Sequence, residues 1–165
     1  MKIEQINALV LAYLGDTIYE DYIREYLIGL GINNVNDLQK ESVKYVSAKG
    51  QAKFLKELID MEYFSDEELS VIKRARNHKG GSHPKSCDIV TYKHATAFEA
   101  LIGYLKLQNK IERIEEIINK ILYWLFFLII KYIGYKVIKW NLFEKYWQSD
   151  ANYIELVYKK KGKEQ

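Results

Sequence analysis

A chain of 165 residues that is 48% hydrophobic and 28% charged is long enough for one domain with a real core, and too apolar to be disordered. Nine glycines and one proline argue for helices and against a turn-rich β fold, and the single Cys87 excludes an internal disulfide and fits a reducing compartment. A net charge of +3 is too small to establish a nucleic-acid partner, so where the charges fall matters more than their sum.

The first predicted helix runs from about Ile3 to Leu27. Its main apolar stripe is Ile3, Ile6, Val10, Leu14, Ile18 and Tyr22, at helical spacing. The apolar run from Ala8 to Leu14 is followed at once by Asp16 and lacks a small-residue cleavage site. It does not read as a signal peptide, and the expected location is cytoplasmic. Asp16 is the only charge between Gln5 and Tyr19. It shares a neighbouring face with Leu9, Tyr13 and Glu20, the last of these one turn away. Gly29 and Gly31 are expected to end the helix, and Asn33, Asn34 and Asn36 to form a turn.

Two amphipathic helices should follow. One covers about Asp37 to Ser47, with Leu38, Val43 and Val46 inward. The other covers about Ala48 to Met61, with Ala52, Leu55, Leu58 and Ile59 inward. Ser65-Asp66-Glu67-Glu68 reads as a capping box opening a helix to about Arg76. Asn77 to Asp88 contains Gly80, Gly81 and Pro84 and reads as a flexible loop. Around it, from Lys73 to His94, lie six basic residues (Lys73, Arg74, Arg76, Lys79, Lys85 and Lys93) against one acid, Asp88. This is either a solvated basic loop or one that grips phosphates, since Lys and Arg neutralise a nucleic-acid backbone. His78, His83, Cys87 and His94 are zinc-ligand types, but their spacing lacks the tight pairs of structural zinc sites.

The next helix should cover about Ile89 to Leu107, with Glu99 the only charge from Ala95 to Leu105. Ala95, Ala100 and Gly103 are small enough to let another helix approach. A last amphipathic helix begins near Ile111. Ile111, Ile114, Ile117, Ile118 and Ile121 should point inward, and Glu112, Arg113, Glu115 and Glu116 outward. From Ile121 to Ile130 there are ten apolar residues in a row. A bilayer span needs about 20, and Lys131 and Lys136 interrupt this stretch, so a membrane segment is marginal. A helix packed on the domain or dimer, and a tail from read-through or a shifted frame, fit equally. The Lys159-Lys160-Lys161 end is expected to be disordered.

Asp16 and Glu99 are lone acids on two otherwise apolar helices, which suggests one shared site. An unpaired buried carboxylate costs several kcal/mol, roughly. A divalent cation between the two would keep both ionised. The alternative is that each pairs with a nearby Lys or Arg.

Four stretches resemble the Mini-ribonuclease III branch of the ribonuclease III family, the branch lacking a double-stranded-RNA-binding domain. They are Leu-Ala-Tyr-Leu-Gly-Asp-Thr-Ile-Tyr-Glu (11–20), Val-Lys-Tyr-Val-Ser-Ala-Lys (43–49), Arg-Ala-Arg-Asn (74–77) and Asp-Ile-Val-Thr-Tyr-Lys-His-Ala-Thr-Ala-Phe-Glu-Ala-Leu-Ile-Gly-Tyr-Leu (88–105). The resemblance implies an all-α, homodimeric endonuclease domain over residues 1–120. Residues 121–165 would be an atypical extension, helical at first and then disordered. It further implies Mg²⁺-dependent cleavage of double-stranded RNA, with maturation of precursor large-subunit (23S) ribosomal RNA as the task. A ribosomal protein or the pre-ribosome is a possible further partner. Asp16 matches the family's catalytic aspartate and Glu99 its metal-binding glutamate. Ala12 and Thr96 stand where larger family members carry acids, and Glu20 could support the site from behind. The competing reading is a non-catalytic RNA- or ribosome-binding module of the same fold.

Overall fold

The computed structural model describes residues 2–78 and 87–123. The chain divides into two units, Met1–Ile121 and Leu122–Gln165. Among the described residues the architecture is all-helical. A short 3-10 turn at Ile3–Gln5 is followed by α1 (Ala8–Gly29), α2 (Val35–Val46), α3 (Ala48–Asp60), α4 (Asp66–Arg76) and α5 (Ile89–Leu107). A further helix, α6, starts at residue 111 and is described to residue 123. No helix among the described residues is long and apolar enough to cross a membrane. Residues 124–165, including most of the apolar stretch and the lysine-rich end, lie outside the described residues, as does 79–86 of the basic loop.

Helix boundaries follow local chemistry. Asn7 caps α1, its side chain accepting from the Leu9 amide, so the helix starts at Ala8 and not at Ile3. Gly31, just beyond the end of α1, has φ +85°, a conformation that glycine adopts without a Cβ clash. Asn34 caps α2 by accepting from the Asn36 and Asp37 amides, which puts Asn36 inside the helix and not in a turn. Ser47 ends α2 and caps α3. The capping box at Ser65 is present in both directions, from the Ser65 amide to Glu68 Oε2 at 2.8 Å and from the Glu68 amide to Ser65 Oγ at 3.3 Å. Asp88 caps α5, at the start expected from the sequence.

α5 is the axis of the core, and every residue from Ala100 to Leu105 is buried. α1, α3 and α4 pack against it, and α2 leans on α1. α6 adds Ile114, Ile117, Ile118 and Ile121 to the core. The buried face of α1 is Ala8, Leu11, Ala12, Gly15, Tyr19, Ile23 and Leu27. This replaces the stripe expected through Val10, Leu14, Ile18 and Tyr22; Val10 is 58% exposed. The reason is steric. α1 meets α5 through Gly15 and Gly103, where a Cβ on Gly15 would sit 1.8 Å from the Glu99 carbonyl oxygen and one on Gly103 2.0 Å from that of Leu11. The helix must therefore turn Gly15 inward, and Leu11, Tyr19, Ile23 and Leu27, at helical spacing from it, are buried with it while Val10 goes to the flank. Similarly, α2 buries Ser42 while Val43 stays exposed.

Arg113 is a second correction. Instead of pointing to water it reaches back to the start of α4, donating to Glu68 (2.8 and 3.1 Å) and to the Tyr63 carbonyl (2.8 Å). Burial would raise the Glu68 carboxyl, but hydrogen bonds from Arg113 and Ser65 outweigh it and hold the carboxyl below its ordinary range. This pair pins α6 to α4.

The glycine crossing gives a direct test. Gly103→Ala should cost about 3 kcal/mol or more of unfolding free energy, because the clash is with backbone and not with a flexible side chain. An exposed control, Gly29→Ala, meets nothing within 4 Å and should cost none. Urea unfolding of the two variants makes the comparison.

Candidate active site

The crossing of α1 and α5 sets the site. Gly15 precedes Asp16 on α1, and its α-carbon abuts the backbone of Glu99 on α5. With no side chain between the helices, the two carboxylates emerge on the same side of the contact and sense each other's charge. Burial pushes the Glu99 carboxyl up to about 7, and the charge of Asp16 pushes it in the same direction. Asp16 is also raised, first by partial burial and then by Glu20. Among the described residues no Lys or Arg forms an ion pair with Asp16 or Glu99. Among the described residues, the alternative of two separately paired acids is not seen.

Asp16 is more open than its apolar sequence context suggested. It lies on the exposed side of α1, while Glu99 is half-buried. The site is thus a shallow acidic ledge with one member rooted in the core. Glu20 bonds Arg24 at 2.7 Å on the outer surface of α1. Thr96 is buried one turn before Glu99. Among the described residues no three His, Cys, Asp or Glu side chains converge on one point. Two carboxylates are nevertheless a fitting donor set for Mg²⁺, which dehydrates reluctantly and is held by one or two carboxylates plus substrate phosphates.

The sequence matches the family model "Ribonuclease III domain" over residues 9–110. Mini-ribonuclease 3 of Brevibacillus brevis is 53% identical over 114 residues, which are 69% of this chain and 84% of that protein. Mini-ribonuclease 3 of Enterococcus faecalis is 47% identical over 116 residues, 70% of this chain and 88% of that one. The chain belongs to the Mini-ribonuclease 3 branch of the ribonuclease III family. A crystal structure of a protein from Fusobacterium nucleatum, 37% identical, superposes with a TM-score of 0.68 over 74% of this chain and 99% of that one. As a member of this family the chain is an endoribonuclease. The ribonuclease III family acts on double-stranded RNA and generally uses a divalent metal.

The other candidate residues of this Mini-ribonuclease 3 fall in two places. Lys73, Arg74 and Arg76 are exposed in the last turn of α4, with Arg74 also donating to the Glu4 carbonyl. Lys93 is half-buried near the start of α5. Lys79, Lys85 and His83 lie outside the described residues. One residue went unnoticed in the sequence. Gln51 on α3 is 1% exposed, and its side chain acts on Glu99 in the sense that favours the charged carboxylate. The signal was available: Gln51 shares the buried face of α3 with Phe54, Leu55 and Leu58, where an amide is out of place.

The raised Glu99 makes stability depend on pH. A carboxyl that titrates near 7 when folded, against 4.5 as its ordinary value, keeps its proton longer in the native state. Stability is then lost as pH rises from about 4.5 to about 7. In metal-free buffer Glu99→Gln should be more stable than the parent at pH 8 by roughly 1–3 kcal/mol, with the gap closing towards pH 5. Urea unfolding at the two pH values measures it.

Proposed function

We propose that this endoribonuclease cuts double-stranded RNA by Mg²⁺-assisted phosphodiester hydrolysis at Asp16 and Glu99, and that its task is the maturation of precursor large-subunit (23S) ribosomal RNA in the cytoplasm. The observation that carries the mechanism is the pair of electrostatically coupled carboxylates, unpaired by any described base, one on each helix of a side-chain-free crossing. The substrate class follows from the family, and the ribosomal target from the resemblance of the Leu11–Glu20 and Asp88–Leu105 stretches.

Asp16 and Glu99 would hold the cation, Asp16 from the open side and Glu99 from the core. Bound Mg²⁺ supplies positive charge that activates water and stabilises charge developing on the phosphate. Glu99 is rooted in α5 and fixes the position of the centre, because its backbone is locked against Gly15. Glu20, tied to Arg24, and buried Thr96 support the two carboxylates from their own helices. Lys73, Arg74, Arg76 and Lys93, together with Lys79 and Lys85 of the intervening loop, would hold A-form RNA through its phosphates, with little reading of bases. A ribosomal protein or the pre-ribosome would present the RNA.

A duplex has two strands to cut, and a two-fold dimer offers one centre for each. The exposed apolar residues Val10 (58%) and Tyr13 (83%) on α1, and Ile89 and Val90 at the start of α5, support association through these two helices.

Two measurements test this reading. Asp16→Asn and Glu99→Gln should each lower the rate of duplex RNA cutting in Mg²⁺ by about a thousandfold, equivalent to several kcal/mol of lost metal stabilisation, while duplex RNA affinity is retained. Retention of most activity by either variant would remove that residue from the centre. Lys73→Ala combined with Arg76→Ala should weaken duplex RNA binding for all sequences and reduce the log–log salt slope by about two units, since each phosphate contact contributes about 0.9. Parallel salt lines would leave the end of α4 as merely solvated surface.

A further inference from the structure

A buried amide stands beside the acidic centre and has no structural use so far described. Gln51 occupies the first turn of α3, which packs along α5. It is 1% exposed, and its Nε2 has no hydrogen-bond partner among the described residues. Leaving a buried donor unmade costs about 1–3 kcal/mol, so an apolar residue of the same shape would stabilise the fold better. The neighbours of Gln51 on its own helix face, Phe54, Leu55 and Leu58, offer no side-chain acceptor. The group on which its side chain acts is the carboxylate of Glu99 across the α3–α5 contact.

We propose that Gln51 is a positioning residue of the active centre: its buried Nε2, unpartnered in the metal-free protein, donates to the Glu99 carboxylate when that group is charged and fixes how it faces Asp16. The role rests on the assignment of Asp16 and Glu99 as the cation-holding pair. An amide suits it better than a base. A Lys or Arg would also donate, but its positive charge would neutralise Glu99 and compete with the cation for the same carboxylate. A neutral donor orients the carboxylate and leaves both negative charges available. Carboxylates that hold metals are themselves hydrogen-bonded in this way, and loss of such a partner typically costs about 10–100-fold in metal affinity or activity.

Gln51→Met tests the role because it keeps the length of the side chain and removes the amide; Gln51→Leu is the second variant. Mn²⁺ binding to the RNA-free protein is measured by calorimetry, beside kcat and KM on duplex RNA and urea unfolding. The expected result is Mn²⁺ affinity weakened about tenfold and kcat lowered about 10–100-fold. KM for RNA should stay within about twofold, and the unfolding midpoint of the metal-free protein should not fall, since there the buried donor that is removed was unmade. A purely structural amide would instead lower the unfolding midpoint and carry RNA affinity down with it in both variants, which overturns the proposal. So does a Gln51→Met protein with the parent's Mn²⁺ affinity and kcat. Asp16→Asn and Glu99→Gln run in the same calorimeter separate the two levels. If these bind Mn²⁺ like the parent, the carboxylate pair itself is misassigned and Gln51 falls with it. If they lose Mn²⁺ while Gln51→Met does not, only the role of Gln51 is wrong.

Discussion

Everything in this molecule that bears on chemistry depends on one contact, the meeting of α1 and α5 through Gly15 and Gly103. The separation there is too small for even a methyl group, since an added Cβ would fall within 2.0 Å of a carbonyl oxygen on the facing helix. Because both partners at the crossing are backbone, the spacing is not adjustable by side-chain rotation. Asp16 follows one glycine directly, and Glu99 lies one turn before the other. The carboxylates inherit the rigidity of the crossing. The remaining helices serve it: α3 and α4 hold α5 from its other sides, and the Arg113–Glu68 bridge ties α6 to the start of α4.

Holding two acids together in partly desolvated surroundings is costly, and no described base relieves the cost. The raised carboxyl of Glu99 expresses it, through burial first and the charge of Asp16 second. Elsewhere the same chain shows how a carboxylate is made comfortable. Glu67 receives hydrogen bonds from Gln108, Tyr104 and Lys110, in that order of effect, and is held down near 2. Glu68 receives Arg113. Basic partners thus accompany the acids that hold the fold together, and among the described residues none accompanies the pair proposed to hold the cation. In the proposed function, Asp16 and Glu99 would hold a cation whose positive charge would offset this repulsion.

Much of this was legible in the residues, for specific reasons. α5 is expected at Ile89–Leu107 and lies there, because Asp88 caps it and the run from Ala95 to Leu105 behind it carries a single charge. Ser65 to Glu68 declared the start of α4. The isolation of Asp16 and Glu99 in apolar runs points to a shared site, and the two carboxylates sense each other's charge. The orientation of α1 is not legible from periodicity alone, because two apolar stripes compete and only the Gly15–Gly103 crossing selects the one through Leu11, Gly15 and Tyr19. Arg113 departs from the expectation that an arginine on an amphipathic helix faces water, because the fold brings the buried Glu68 within its reach. Gln51 needed the packing of α3 on α5 before its amide had any meaning.

The claim beneath all of this is that Asp16 and Glu99 share one electrostatic centre. Carboxyl ¹³C NMR of Glu99 across pH, in the parent and in Asp16→Asn, with and without Mg²⁺, measures it most directly. The expected result is a midpoint near 7 in the metal-free parent, lowered when the Asp16 charge is removed. Mg²⁺ should lower it further in the parent and have a much smaller effect in Asp16→Asn. A Glu99 carboxyl that titrates near 4.5 in both proteins and ignores Mg²⁺ would contradict the account.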